Sequence, residues 1–206
     1  MPASALRRWW LRRTHGSGPW GALLQAAAAG EWVSLDLETT GLDPRSDHIL
    51  SLAAVPIRDG QVRLSERFER LVRPRREFGI ESIRHHLITP DEAAAGVPVE
   101  DAVRDFLHWL GSRRLLGYNL GFDLDMLGPH VRAATGFALP NATVDLADEV
   151  ARRQRQQRPN APVNLDFAHI ADTLGVPMVE RHSALGDATT VGLCWLALQA
   201  RGWPAE

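Results

Sequence analysis

The chain contains no lysine: all 23 basic positions among its 206 residues are arginine. Any long basic side chain that meets a phosphate is therefore a guanidinium. The bias itself reads as a coding preference, not a mechanism. There is a single cysteine, Cys194, so no internal disulfide can form. With no secretory leader in evidence, this points to a reducing compartment, expected to be the cytoplasm. Cys194 sits in the apolar run 191–196 and reads as a buried, inert thiol. No apolar run approaches the ~20 residues needed to span a bilayer, which excludes an integral membrane helix. An excess of one charge sign is missing too, with 23 basic against 25 acidic residues and a net charge of -2. A basic nucleic-acid coat is thereby excluded, although a local basic patch is not.

The N-terminus carries Arg7-Arg8-Trp9-Trp10-Leu11, a pattern with the look of a twin-arginine export signal. Arg12-Arg13-Thr14-His15-Gly16-Ser17 then stands where an apolar segment would be required, which argues against export. Residues 1–30 read as an Arg/Trp-rich extension with a short helix over 21–29. Residues 31–206 read as one domain. The extension is expected to be dispensable for chemistry.

Trp32-Val33-Ser34-Leu35-Asp36-Leu37-Glu38 alternates with period two, placing Val33, Leu35 and Leu37 on one face and Ser34, Asp36 and Glu38 on the other. Residues 49–57 form a second strand. Asp59-Gly60 predicts a tight hairpin turn, and 62–72 a returning third strand. Thr89-Pro90-Asp91-Glu92 has the composition of a capping box with Pro in the first turn. Val99, Ala102, Val103, Phe106, Leu107 and Leu110 form one helical stripe. Short strands are expected at 115–118 and 143–146, a helix is expected to start over 122–127, and further helices are expected at 165–174 (capped by Asn164) and 184–200. A hairpin followed by alternating helices and strands predicts an α/β fold, one mixed sheet covered by helices. The basic stretch 152–158 reads as a solvated helix end.

Asp36 and Glu38 stand out because two acids on one face of an apolar strand repel one another and resist burial. A lone Asp-x-Glu is ordinarily an exposed face. At the end of a core strand, such a pair becomes favourable when a divalent cation neutralises it. Asp123, after the turn Gly117–Phe122, and Asp187, where a loop enters a helix, offer the same chemistry. Four acids from three segments are what two-metal phosphoryl transfer requires. Asp125 and Asp145 are also acidic; Asp145 reads as a helix cap. His85, His86, His130 and His169 read as structural or exposed.

Asp36-Leu37-Glu38-Thr39-Thr40-Gly41-Leu42 resembles the first motif of the DnaQ-like 3′–5′ exonucleases. Residues 116–123 resemble the second motif, with Tyr118 where the family has histidine. Arg181-His182-Ser183-Ala184-Leu185-Gly186-Asp187 resembles the third, in its histidine-bearing DEDDh form. The resemblance runs over about residues 31 to 200. One departure is Leu87 in His86-Leu87-Ile88-Thr89, where family members often have glycine.

This resemblance implies a ribonuclease H-like, five-stranded mixed sheet flanked by helices. It also implies that Asp36, Glu38, Asp123 and Asp187 bind two Mg²⁺ or Mn²⁺ ions, with His182 as general base. Thr39, Thr40, Gly41, Leu42 and Asn119 would contact substrate. Leu42 reads either as a wedge between terminal bases or as ordinary core. The expected activity is release of nucleoside 5′-monophosphates from nucleic-acid 3′ ends, with single-stranded DNA as substrate and RNA left open. The expected roles are repair and proofreading. A stand-alone enzyme is expected, with no polymerase or oligomer partner specified. The alternative is a catalytically silent accessory module of a polymerase or repair complex.

Overall fold

The computed structural model describes residues 3–160 and 162–202. Side chains of residues 1–8, 80 and 81 lie outside the description, and with them the Arg7 and Arg8 of the N-terminal pattern. The chain opens with helix α1 (Ala3–His15), followed by a single 3-10 turn at Gly21–Leu24. The expected helix over 21–29 is therefore only this turn, because Gln25 is extended and Ala26–Ala29 supply no periodic apolar face to bury.

Strands β1 (Trp32–Thr39), β2 (Ile49–Arg58), β3 (Gln61–Val62), β4 (Phe68–Leu71), β5 (Arg114–Gly117) and β6 (Thr143–Asp145) form one mixed sheet. Its order is β3-β2-β1-β5-β6, with β4 also on β2. β1 runs antiparallel to β2 and parallel to β5, and β5 is parallel to β6. The third strand expected over 62–72 is split by a 3-10 turn at Leu64–Glu66, and its halves pair with different stretches of β2. Five positions across the sheet are thus filled by six segments. The tight hairpin is present: Asp59 and Gly60 both have positive φ, 53° and 69°, as a turn matched to strand twist requires.

Helices cover both faces. Val33, Leu35 and Leu37 pack in one core with α4 (Val99–Leu110) and α5 (Leu120–Thr135), through Phe106, Leu107, Met126 and Val131. Ile57 and Leu116 pack in a second core with α6 (Leu146–Gln157), α7 (Phe167–Thr173) and α8 (Ala184–Arg201). β2 is buried at every residue but the last, as expected of a strand covered on both faces. Cys194 is buried in the second core, and burial pushes its thiol up to about 12. Gly192 of α8 lies against β2 and β3: a Cβ there would come within 3.2 Å of Val62 and 3.3 Å of Ile57. No described helix is long and apolar enough to cross a membrane.

Two further helices lie between β4 and α4. The capping box forms at α3 (Pro90–Ala94), where Thr89 and Glu92 exchange hydrogen bonds. Helix α2 (Ile80–His86) was not expected; its N-cap is Gly79, without a side-chain hydrogen bond, so no sequence signal marks its start. Helix α7 is capped by Asp166 and not by Asn164, whose side chain instead accepts from the Asp166 N–H. The helix expected to start over 122–127 is α5, which begins at Leu120 and continues through Pro129 to Thr135. In the basic stretch, Arg152 and Arg153 both pair with Glu149, and Arg153 also donates to the Leu198 carbonyl.

Asp145 holds two helix starts at once. Oδ2 accepts from the Leu120 N–H of α5 at 2.7 Å, and Oδ1 from the Ala147 N–H of α6 at 2.9 Å. Losing a single side-chain cap costs about 0.5–2 kcal/mol, so Asp145→Ala is expected to cost about 1–3 kcal/mol. Asp145→Asn keeps one acceptor oxygen and should lose about half as much. Urea midpoints of the three proteins, at unchanged slope, check this.

Candidate active site

The site lies at the carboxyl ends of β1 and β5, where open α/β sheets commonly bind ligands. β1 pairs with β5 only over Trp32–Ser34 and then runs on alone on that side. Beyond that pairing, α5 brings the buried carboxylate of Asp123, from its first turn, toward the Leu37 backbone of β1. On the other side, the β1–β2 register shifts between Glu38 and Thr39. Such an irregularity bends a strand and re-aims its side chains. Ser34, Asp36 and Glu38 share the face toward α8, which presents Asp187 in its first turn.

One carboxylate oxygen each of Asp36, Glu38 and Asp187 lie within 4.8 Å of one another. Asp123 stands outside this trio and is 4% exposed, yet its charge is the strongest neighbouring one acting on Asp36. Burial, then Asp123, Glu38 and Asp187 in turn, raise the Asp36 carboxyl well above its ordinary range. Burial and Asp187 raise Glu38 to about 7. Burial raises Asp123 to about 8, against the backbone N–H groups of Asp123 and Leu37. Asp187 is raised by burial, opposed by the His182 N–H bond to its Oδ2 at 3.2 Å and by the Arg181 charge. Its other oxygen, Oδ1, is buried with no hydrogen-bond donor. Hard oxygens converging in this way, one of them without a donor, fit a divalent cation.

His182 is exposed, with φ at 67°, and its ring is not part of the trio. Its loop is shaped by Gly186, where a Cβ would come within 2.3 Å of the Glu180 carbonyl oxygen and 2.4 Å of that of Val179. Ser183 caps α8 by accepting from the Gly186 N–H at 3.0 Å.

Beside Glu38 opens a cavity of about 480 Å³ lined by Thr39, Thr40, Gly41, Leu42, Phe122 and residues of α2. Leu42 is 85% exposed, which excludes the core-packing reading. The threonine hydroxyls are engaged within the loop. Thr39 donates to the Gly41 carbonyl; Thr40 donates to Asp47 and accepts from the His48 N–H. A Cβ on Gly41 would come within 2.6 Å of the Asp47 carboxylate. Asn119 is exposed on the turn before α5, in a left-handed conformation, and does not line this cavity.

Sequence reasoning missed the α2 wall formed by Ser82, His85 and His86. His86 matches its structural reading: it is buried, and Nδ1 accepts from the Ile88 N–H at 3.0 Å. Phe122 was within reach, because it directly precedes an acid already singled out. Asp145 caps as expected, and Asp125 is exposed. Tyr118, in the place of the family histidine, donates to the Leu165 carbonyl at 2.8 Å and stacks on Phe167. Leu87, in the place of glycine, takes the glycine conformation, φ 59°, and is 71% exposed.

Residues 33–192 match the exonuclease family model RNase_T. The chain belongs to this exonuclease family. It is 31% identical over 169 residues to the DNA polymerase III PolC-type protein of Oceanobacillus iheyensis, covering 82% of this chain and 11% of that one. To the corresponding protein of Thermotoga petrophila it is 28% identical over 165 residues, with 80% and 12% covered. The chain thus spans about a tenth of the length of the curated relatives it matches. The fold is shared with a solved exonuclease I, at TM-score 0.70 and 22% identity, over 86% of this chain and 41% of that one. It is shared also with E. coli exonuclease I in complex with a dT13 oligonucleotide, at TM-score 0.68 and 22% identity, over 86% and 42%. The chain is a DnaQ-like 3′–5′ exonuclease domain of ribonuclease H-like fold, and the family implies dependence on a divalent metal.

The raised carboxyl groups give this exonuclease domain a defined pH response. A group whose folded pKa lies above its unfolded value lowers stability wherever the unfolded chain has released a proton that the folded one retains. With Glu38 at about 7 and Asp123 at about 8, stability in chelator should fall as pH rises from about 4 to about 8. Asp36→Asn should raise the chelated melting temperature, and by more at pH 8.5 than at pH 5. Mg²⁺ should stabilise the wild type more at pH 8.5 than at pH 5. Differential scanning fluorimetry at both pH values reads all three; a pH-independent melting temperature would contradict the electrostatic account.

Proposed function

We propose that this exonuclease domain hydrolyses phosphodiester bonds one at a time from the 3′ end of single-stranded DNA, releasing nucleoside 5′-monophosphates. The observation that carries the reading is the trio Asp36, Glu38 and Asp187, within 4.8 Å at the end of β1. The polymerase relatives support an unpaired DNA 3′ end as the substrate. Asp36, Glu38 and Asp187, with Asp123 adjoining, would hold two Mg²⁺ or Mn²⁺ ions. When bound, the ions neutralise phosphate charge and acidify water.

His182 acts as general base. A neutral imidazole nitrogen can accept the proton of the attacking water. The bond from its N–H to Asp187 ties its loop to the acids. Leu42 projects at the mouth of the cavity and wedges between the terminal base and its neighbour. Phe122 offers a stacking surface inside. Thr39, Thr40 and Gly41 set the shape of this wall, and Asn119 meets the strand outside it. Residues 31–206 form the catalytic unit, residues 1–30 are an appendage, and the compartment is reducing and cytoplasmic.

The test is degradation of matched end-labelled DNA and RNA oligomers with Mg²⁺, Mn²⁺ or EDTA. DNA should be shortened from the 3′ end in metal and untouched in EDTA; faster loss of RNA would overturn the substrate. Asp36→Ala and Asp187→Ala should remove most activity while keeping the fold by circular dichroism. His182→Ala should lower turnover roughly 10²–10⁴-fold, with metal binding retained better than in Asp36→Ala by calorimetry. Unchanged turnover in His182→Ala would remove it from the mechanism. Leu42→Ala should reduce the preference for frayed over blunt 3′ ends, with little change in base preference.

A further inference from the structure

Residues 1–30 contain four arginines and no acidic residue. α1 is anchored by Leu11, which is buried with Leu24 and Phe137, and by the His15 ring, 5.3 Å from that of Phe137. Trp20 secures the following turn by donating to the Ala134 carbonyl and stacking on His108. The helix is therefore held in place on the domain.

Its outward face is unusual. At about 100° per residue, Trp9, Trp10, Arg12 and Arg13 fall within an arc of about 160° centred opposite Leu11. Trp9 and Trp10 are 56% and 55% exposed, and the Arg13 guanidinium lies 6.0 Å from the centre of the Trp9 ring. Exposed indoles beside guanidinium groups are the elements that hold single-stranded nucleic acid, the rings stacking on bases and the charges meeting phosphates. An interfacial membrane helix segregates its apolar face from its basic one. Here the apolar Leu11 is used on the domain itself, and indoles and arginines interleave on the outside.

We propose that this face of α1 is a second nucleic-acid site, holding the 5′-ward part of a single strand whose 3′ end occupies the catalytic centre. The proposal rests on the exonuclease reading above. The two sites lie at opposite ends of α5: Asp123 is in its first turn, and Phe137, which contacts α1, just follows its end. The stretch of α5 from Asp123 to Thr135 spans about 18 Å, the length of five or six stacked nucleotides at about 3.4 Å each. Along the exposed stripe between them, Asp125 and Arg132 offset one another in charge. Short strands engage the catalytic site alone, and longer ones reach both.

The test is binding of fluorescent single strands of four and of thirty nucleotides to the full chain in EDTA, beside cleavage of the four-nucleotide strand in Mg²⁺. The double variant Trp9→Ala/Trp10→Ala should weaken binding of the thirty-nucleotide strand roughly ten-fold or more. It should leave cleavage of the short strand unchanged. Arg12→Ala/Arg13→Ala should flatten the dependence of log affinity on log salt by about 1.4, two phosphate contacts at about 0.7 each. Trp9→Phe/Trp10→Phe should restore much of the affinity. Unchanged long-strand binding in both alanine pairs overturns the proposal. So does unchanged long-strand binding combined with loss of adhesion to phosphatidylglycerol vesicles, which would assign the face to a membrane surface. Wild type that binds the long strand through α1 but never cleaves the short one refutes the exonuclease reading and leaves this site standing.

Discussion

Carboxylates brought together at the end of a buried strand repel one another, and much of the surrounding structure follows from holding them there. Asp36 and Glu38 cannot separate, because they sit two residues apart on one face of β1, which β2 pairs along its whole length. Asp187 cannot retreat, because α8 packs along the sheet at Gly192 and its entry loop closes tightly on Gly186. The result is a set of acids with raised proton affinity and one orphaned oxygen. Elsewhere in a core such an arrangement would be a defect. Beside a cation it becomes a binding site, and the instability of the empty state is the counterpart of affinity for metal.

The same ends of the strands also supply the space for a substrate. β1 outruns its pairing with β5, so α5 can insert Asp123 beside Leu37 and set Phe122 on the cavity wall. Asp145, at the end of β6, fixes the starts of both α5 and α6 through its two carboxylate oxygens. It also adds charge near Asp123. A single acid thus links helix placement to site electrostatics, and its role is legible only once both helix starts are seen together.

Where the chain departs from the family it resembles, the backbone is kept and the side chain changes. Leu87 adopts the left-handed conformation that glycine takes without steric cost. Tyr118 turns a histidine position into a tether to Leu165 and a stack on Phe167. Neither change touches the carboxylates, so the metal chemistry and the fine shape of the surrounding walls vary independently.

By itself the sequence determined the strands and helices with strong periodicity, the Asp59-Gly60 turn, the Thr89 capping box and, through three ordered motifs, the acids. These are local properties, set by side-chain spacing and φ preference within a few residues. It did not determine that the third strand would split, that α2 would wall the cavity, that α5 would run through Pro129, or that Asp166 would cap α7 instead of Asn164. Those outcomes depend on what each segment packs against. The distance between Asp36 and Asp187, the approach of Asp123 to Leu37 and the exposure of Leu42, Trp9 and Trp10 belong to the tertiary structure alone. Each depends on groups far apart in the chain, whose separation no local pattern encodes.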